Sequence, residues 1–184
     1  MNADTTATMA TLRDGTQVLV RALRKQDLEL ERRFIEALSP QSRRYRFLCA
    51  VGTANEALLK KLTDLDAQRD AALIAVVDDG GTAREIGIAR FCGADLGKAE
   101  VAVTVADDWQ HKGLGTLLLT RLIDVAKQHG VHELYSFDSA SNQPMRQFAA
   151  DMGFQRRTDP EDATQVIYTL SLAESQSAEQ RQSV

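Results

Sequence analysis

A short loop with two glycines, Gln110-His111-Lys112-Gly113-Leu114-Gly115, has the residue types of an anion-binding site. Glycines allow the backbone to come close to a ligand, and the backbone N–H groups at the beginning of a helix favour negative charge. The spacing differs from that of a dinucleotide-binding loop, because Leu118 stands where the third glycine would be, and from that of a Walker loop, because Lys112 precedes both glycines. We therefore predict a diphosphate-binding loop of another type, with a glycine-rich turn that binds nothing as the alternative.

A strand and a helix must hold this loop in place. Residues 100–105 alternate in polarity and are rich in valine, which predicts a strand directly before the loop. After the loop, apolar residues recur at helical spacing as far as Gly130, where we expect the helix to end. Glu100 on the strand is a candidate general base, and Glu85 on the neighbouring predicted strand is the reserve candidate. The alternative for Glu100 is an acid on the solvent-facing side of a strand.

The rest of the chain alternates between strand-like and helix-like segments. Their order is a strand, helices, three strands, a helix, a strand, a helix and two strands, which predicts a mixed α/β domain with one sheet. We expect residues 11–172 to form a single domain between a disordered N-terminus, residues 1–10, and a disordered polar tail, residues 173–184. The predicted strands span residues 17–23, 71–77, 85–91, 98–105, 132–137 and 165–170, with one more from Phe154, and the predicted helices span residues 27–38, 41–48, 55–62 and 114–129, with one more from about Pro144.

Composition and charge argue against several classes of protein. The net charge of −4 disfavours nucleic acid as a ligand and is compatible with a cationic amine substrate. No apolar run has the length of a membrane span and no signal segment opens the sequence, so we expect no membrane contact and a cytoplasmic location. Cys49 and Cys92 lie far apart in apolar runs and are expected to be buried free thiols. The histidines show no metal-ligand spacing, so we expect no metal.

Gln-x-x-Gly-x-Gly at the beginning of a helix is the pattern of the GNAT acyl-CoA N-acetyltransferases, and the sequence resembles that family over about residues 16–172. Asn142-x-x-Met145, followed by Met152-Gly153-Phe154, is similar to the second conserved block of the family. Residues 38–47 and 99–103 resemble the acetyltransferase domain of bacterial Pat-type protein lysine acetyltransferases. The resemblance implies a GNAT-like mixed, mostly antiparallel central sheet of six to seven strands, flanked by about four to five helices.

The resemblance also implies how acetyl-CoA would be held. The backbone of Val103 and Val105 would pair with the pantetheine arm, at a place where a bulge separates this strand from the next. The diphosphate would lie on the backbone amides of residues 110–116, and Lys112 could add a contact as a point charge. Asn142 would reach the arm or the thioester, or else it would only cap a helix. The cofactor-binding residues predicted in this way are Val103, Thr104, Val105, Gln110, His111, Lys112, Gly113, Leu114, Gly115, Thr116 and Asn142.

By the same resemblance, the reaction is the transfer of acetyl from acetyl-CoA to a primary amine, with Glu100 in the position of the catalytic Glu of Pat-type enzymes. A lysine side chain of a protein is the expected acceptor. A small amine, or an acyl-CoA-binding module without catalysis, is the alternative, and a homodimer is left open. Many family members have a Tyr seven residues after the Asn as general acid for the leaving thiolate, but Ala149 stands there. Tyr135, Ser139 or a water could replace it, or the thiol could leave largely unassisted.

A basic cluster, Arg43, Arg44 and Arg46, lies in the second predicted helix. Such a cluster could bind nucleic acid, or it could shape the entrance for the acceptor. Arginines around a helix more often pair with nearby carboxylates or cover apolar surface with their stems. We favour that structural interpretation for this cluster.

Overall fold

The computed structural model describes residues 7–47 and 55–172, so residues 1–6 and 173–184 of the predicted disordered ends, and Cys49, lie outside the described residues. The described segments contain five α-helices and eight strands, and the eight strands form one sheet. In chain order, the elements are β1 (Thr8–Thr11), β2 (Gln17–Ala22), α1 (Leu28–Ala37), α2 (Pro40–Phe47), α3 (Glu56–Thr63), β3 (Ala71–Asp79), β4 (Thr82–Asp95), β5 (Lys98–Val105), α4 (Leu114–Gln128), β6 (Glu133–Ser139), α5 (Gln143–Asp151), β7 (Gln155–Thr158) and β8 (Gln165–Ser171).

The sheet has the strand order β1-β2-β3-β4-β5-β6-β8-β7, and every pair is antiparallel except β5 and β6, which are parallel. This confirms the predicted mixed, mostly antiparallel sheet. Helices α1 and α3 cover one face, where their apolar sides pack on strand residues. Helices α4 and α5 cover the other face over the larger core. Central members of the two cores are Phe34, Ile35, Leu59, Ile74 and Ile88 on the α1 face, and Phe91, Leu118, Leu122, Leu134 and Tyr168 on the α4 face.

The eighth strand, β1, corrects two expectations from the sequence. Residues 8–10 are not part of a disordered N-terminus, because they pair antiparallel with β2, and the sheet therefore exceeds the predicted six to seven strands. Arg121 of α4 also donates a hydrogen bond to the Thr8 hydroxyl at 2.5 Å. An edge strand is stabilised through its backbone and leaves most side chains exposed, so β1 lacks the apolar alternation that marks other strands.

A bulge in β4 decides which side chains meet below the helices. Ala75 pairs with Gly87 but Val76 pairs with Glu85, so Ile86 is an extra residue in β4. Residues an odd number of positions apart on a strand normally lie on opposite faces of the sheet. Because of the extra residue, Glu85 lies on the same α1 face as Ile88, three positions further on. On the α4 face, a β-carbon at Gly87 would come within 3.1 Å of Leu118 Cδ1, so α4 packs directly against the bulge. This close contact fixes the beginning of α4, and with it the glycine loop.

Candidate functional site

A cleft opens in the sheet between β5 and β6. The two strands pair only from Lys98↔Glu133 to Glu100↔Tyr135, although both continue further. Beyond Glu100, β5 follows β4 in continuous register, and β6 follows β8. The predicted bulge is therefore wrong for β5: the strands separate without a register shift, because each remains attached to its other neighbour.

The backbone of β5 presents alternate residues to this cleft. Ala106 N donates to Ile86 O of β4 at 2.9 Å, so the alternation of strand geometry directs the backbone groups of Val103 and Val105 to the opposite side, toward the cleft. The backbone groups of Thr104 face β4, and its side chain is buried on the α1 face. Val103 and Val105 thus direct backbone groups to the cleft, although the Val105 carbonyl oxygen also accepts from Gln110 Nε2 at 3.4 Å, whereas Thr104 directs none.

The glycine loop joins the end of β5 to α4 and presents its amides outward. His111 and Gly113 have left-handed backbone conformations, with φ of 62° and 86°. The first bond of α4 runs from Leu117 N to Gly113 O at 3.0 Å. Within the described part of the chain, no amide from Gln110 to Thr116 donates to a protein acceptor. Consecutive free amides in such a turn form an anion-binding concavity, so the predicted diphosphate loop has the required donors.

Two side chains of the loop, Gln110 and Lys112, have partners within the protein. Gln110 Nε2 donates to Val105 O at 3.4 Å and so ties the loop to the strand end. Lys112 Nζ lies 3.3 Å from Asp14 Oδ2 and 4.7 Å from the centre of the Trp109 ring. Arg13, which sequence reasoning missed, lies against Gly113 from the turn between β1 and β2. Two cations from separate segments, Arg13 and Lys112, therefore lie at the loop, and Asp14 pairs with Lys112.

Glu100 lies at the point where the cleft begins. Its side chain is exposed on the α1 face, whereas its neighbours Ala99 and Val101 are buried in the opposite core. Its partner across the β4–β5 ladder is Cys92, which is half-buried rather than buried as predicted. Val105 follows Glu100 by five positions along the strand, a span of about 17 Å. The candidate base and the predicted diphosphate loop thus stand at the two ends of one strand, a separation compatible with a long, extended cofactor.

Arg46 of α2 lies within electrostatic range of Glu31 and Glu100. Burial, reinforced by the charge of Arg90, lowers the pKa of Arg46 to about 10. Glu31, Cys92 and Glu100 oppose this shift, so all three lie within electrostatic reach of the guanidinium. Arg46 also lies over the Phe47 ring, 5.0 Å from its centre, so it covers apolar surface within range of carboxylates of its own chain, which is compatible with the structural interpretation of the basic cluster.

The connection between α1 and α2 is fixed to the end of β5 by Asp107. Its carboxylate accepts hydrogen bonds from Ser39 N at 2.9 Å, Ser39 Oγ at 2.8 Å and Ser42 Oγ at 2.7 Å. Although burial opposes the charge, these donors hold the pKa of Asp107 below its ordinary value. The bonds fix the beginning of α2, and α2 contacts β5, the strand that carries Glu100.

Tyr135 of β6 is the register neighbour of Glu100 across the parallel pair. The preceding pair, Ala99 and Leu134, is buried in the α4-face core, so Glu100 and Tyr135 both point to the other face. The half-buried Tyr135 ring makes an edge contact with Phe137 at 6.0 Å between ring centres. Ser139, the other predicted substitute acid, lies four residues further along and shares a 2.8 Å hydrogen bond with Ser141. Of the two, only Tyr135 stands beside the candidate base.

The reserve candidate, Glu85, does not belong to this site. It lies seven residues before Cys92, the partner of Glu100, and hence roughly 20 Å away along β4. Glu85 is buried and lines a cavity of about 250 Å³ between α1 and the beginning of β4. Burial and the adjacent Glu31 raise the pKa of Glu85 well above its ordinary value. Glu85 and Glu100 therefore cannot serve the same reacting group.

Asn142 caps α5, and its side chain is hydrogen-bonded to Asp138. Its Oδ1 accepts from Met145 N at 3.2 Å, which is the cap that we kept as the alternative role, and its Nδ2 donates to Asp138. Contact of Asn142 with a cofactor stays a prediction. Asp138, which sequence reasoning did not single out, is buried at the end of β6. Ala149 is fully buried in the α4-face core, so its position offers no side chain to the cleft.

The described residues contain no group of three or more His, Cys, Asp and Glu side chains placed to hold a metal ion. No helix in the described ranges is long and apolar enough to cross a membrane.

The chain is similar to known acetyltransferases in both sequence and structure. The profile of the acetyltransferase (GNAT) family matches residues 34–154. Acetyltransferase PA5475 of Pseudomonas aeruginosa is 46% identical over 162 residues, which cover 88% of this chain and 87% of that protein. The GNAT domain of S. lividans PAT superimposes with a TM-score of 0.81 at 25% identity, covering 90% of this chain and 96% of that domain. The PaiA N-acetyltransferase of Thermoplasma acidophilum, crystallised in complex with coenzyme A, shares the fold with a TM-score of 0.62 at 19% identity, covering 85% of this chain and 99% of that chain.

Proposed function

Because the chain belongs to the acetyltransferase (GNAT) family, whose members transfer acetyl from acetyl-CoA, we propose that it acetylates a protein lysine side chain with Glu100 as general base. The observation that carries this proposal is the place of Glu100, exposed where β5 and β6 separate. When bound, acetyl-CoA supplies a thioester that an amine can attack. The residues proposed to hold it are the β5 backbone at Val103 and Val105 and the amides of residues 110–116.

An amine acceptor needs a base because it is almost entirely protonated at neutral pH. With a pKa of about 10.4, roughly one free lysine side chain in 2,500 is neutral at pH 7. Glu100 can remove the proton directly or through a water, which contributes a rate factor of about 10² to 10⁴. Tyr135, the register neighbour of Glu100, is the proton donor that the geometry favours for the leaving thiolate. A backbone N–H of β5 that faces the cleft would donate to the thioester carbonyl oxygen.

The exposure of Glu100 favours a large acceptor. A protein lysine can reach a carboxylate on an open face, whereas a small amine is bound better by a closed acidic pocket. The similarity to S. lividans PAT is compatible with a protein acceptor, as is the resemblance of residues 38–47 to Pat-type enzymes. A small amine remains the second candidate within the enzyme class, and a non-catalytic acyl-CoA-binding module is the candidate outside it. The predicted cytoplasmic location and a homodimer stay predictions.

Replacement of Glu100 by Gln tests the proposal. The change keeps the size of the side chain but removes the base, so we expect acetyl transfer to fall by about 10²-fold or more with unchanged CoA affinity. Glu133→Gln is the matched control, because Glu133 is a nearby acid that pairs with Lys98 at 2.9 Å. The acceptor is first found by a screen of proteins and small amines with labelled acetyl-CoA. Transfer by Glu100→Gln at the wild-type rate between pH 6 and 9 would refute the assignment of the base.

A further inference from the structure

A buried carboxylate connects the end of β6 with the beginning of α5. Asp138 is 5% exposed, and its Oδ1 accepts from Ser139 N at 2.6 Å. Asn142 Nδ2 lies 3.2 Å from Asp138 Oδ1 and 3.0 Å from Oδ2. The Oδ1 of the same amide accepts from Met145 N at 3.2 Å. A continuous line of hydrogen bonds thus runs from β6 through Asn142 into the first turn of α5.

This carboxylate is ionised in an unfavourable place. Burial raises the pKa of Asp138 to about 6, against the opposing effect of the donors Asn142 and Ser139. No ion pair involves Asp138 in the part of the chain that the structure describes. From β8, the buried Tyr168 faces it, and burial together with the charge of Asp138 raises the pKa of Tyr168. Arg156 of β7 and Arg146 of α5 act on Tyr168 in the opposite direction.

The position of Asp138 connects it with the cleft. Strand β6 has separated from β5 after Tyr135, so residues 136–139 and the beginning of α5 flank the opening. A neutral amide at position 138 could fill the same space without the cost of a buried charge. A buried charge that reduces stability next to a ligand site indicates a role in that site rather than in folding.

We propose that Asp138 is a positioning residue for cofactor binding, whose carboxylate holds the Asn142 amide and the first turn of α5 in place at the wall of the cleft. The proposal rests on the proposed location of the pantetheine arm in that cleft. It requires the ionised form, because both oxygens accept hydrogen bonds. Protonation of one oxygen would turn an acceptor into a donor that faces Asn142 Nδ2.

Asp138→Asn tests this role in the full-length chain, with CoA as the probe in calorimetric titrations between pH 5 and 8. The variant keeps the side-chain volume but places a donor opposite Asn142 Nδ2. At pH 8 we expect CoA affinity to fall about tenfold, while the melting temperature equals or exceeds that of the wild type. As the pH falls below 6, wild-type affinity should approach that of the variant. Since the cofactor's phosphomonoester also ionises near pH 6, the readout is the difference between the two proteins.

Two further variants keep the result decisive. Asn142→Ser retains an oxygen that can cap α5 but removes the donor to Asp138, so even if Asp138→Asn fails to fold, CoA affinity should fall and the difference from wild type should shrink below pH 6. Loss of a direct contact between Asn142 and CoA would instead lower the affinity equally at every pH. Asp162→Asn is the matched control, because Asp162 accepts comparable local bonds from Thr164 and Gln165 in the β7–β8 connection. Unchanged CoA affinity in both test variants, or an affinity difference that does not vary with pH, would overturn the proposal. CoA binding needs no acceptor, so failure of the Glu100 assignment would leave this measurement intact.

Discussion

Arg13 in the β1–β2 turn lies against Gly113 in the glycine loop: its Nε is 3.2 Å from the position that a β-carbon on Gly113 would occupy. Arg13 N also bonds to Lys112 O at 3.4 Å, and the next residue, Asp14, pairs with the Lys112 side chain. The β1–β2 turn at the edge of the sheet and the glycine loop thus form one surface. Within the described residues the Arg13 guanidinium has no ion-pair partner, so it is available to an anion on the loop amides.

Replacement of Arg13 by Ala should weaken CoA binding by about two- to fivefold, since an exposed cation contributes modestly to binding a phosphate. The effect should grow at low ionic strength. Titration with CoA and with dephospho-CoA locates the contact: an effect with both ligands indicates the diphosphate, and an effect with CoA alone indicates the 3′-phosphate. Arg157→Ala, on the opposite edge strand β7, is the control. Equal affinity of Arg13→Ala and wild type at low salt would contradict the prediction.

The two glycines of the loop should respond differently to alanine. Gly113 has φ of +86°, which L-residues rarely adopt, so Gly113→Ala should lose about 1–2 kcal/mol of stability and also bind CoA less tightly. A β-carbon at Gly115 would only make ordinary contacts, 3.4 Å from Phe148 and 3.6 Å from Val105. Gly115→Ala should therefore leave the free energy of unfolding unchanged or slightly higher, and any loss of CoA affinity then reports close approach of the ligand.

Gly80→Ala separates strain from binding in this comparison. Gly80 has φ of +63° in the β3–β4 hairpin with open space around it, so the variant carries a similar backbone cost far from the loop. We expect it to lose stability like Gly113→Ala and to keep wild-type CoA affinity. If both loop variants also kept wild-type affinity in calorimetry, the phosphate-binding assignment of the loop would be wrong.

The parts of the site that the sequence predicts are those in which local pattern and local structure coincide. β5 has the predicted bounds, residues 98–105, because alternation and valine content act over a few residues. The loop after it is recognisable because left-handed turns and helix beginnings use particular residues, among them Gly113. For the same reason Asn142 caps α5, which is the alternative role given for it, and Asn55 caps α3.

The rest depends on contacts between segments distant in the sequence. Arg13 reaches the loop only because β1 and β2 fold at the edge beside α4, and β1 has no apolar pattern to reveal it. Glu85 shares the α1 face with Glu100 only because Ile86 is an extra residue in β4, a bulge that no periodicity shows, and its distance along β4 keeps it away from the site. The divergence of β5 and β6 is set by their other neighbours, so it needs no bulge of its own. Sheet topology, which is a global property, therefore decides which predicted residues meet.

The buried pair of Glu31 and Glu85 should make the protein less stable in alkaline solution. Burial raises the pKa of both carboxyl groups above the ordinary value of 4.5. Between that value and the folded-state pKa, the folded protein binds more protons than the unfolded chain, so the free energy of unfolding falls as the pH rises. Glu85→Gln mimics the protonated acid and keeps a donor for Glu31. We expect it to stabilise the protein at pH 8 by about 1–3 kcal/mol and to have little effect at pH 5.

Denaturant unfolding at both pH values measures this effect. Glu36→Gln, an exposed acid on the same helix as Glu31, controls for the change in net charge. Glu85→Gln should also transfer acetyl at the wild-type rate, because Glu85 is far from Glu100. A destabilised variant at pH 8 would show that the carboxylate is ionised and paired, and a loss of transfer would restore Glu85 as a catalytic candidate.

Tyr135→Phe tests the proton donor for the leaving thiolate. Tyr135 lies beside Glu100 in the register of the two strands, and Ala149 provides no hydroxyl at the position where many family members have the general acid. Loss of general-acid catalysis should lower kcat by about 10- to 100-fold with little change in the KM for acetyl-CoA, and should abolish the alkaline limb of the pH–rate profile. Tyr45→Phe in α2, whose hydroxyl accepts from Gln41 at 3.2 Å, is the matched control for loss of a hydroxyl. A wild-type kcat for Tyr135→Phe would mean that this residue does not protonate the leaving thiolate. A water would then donate the proton, or the thiolate would leave unassisted.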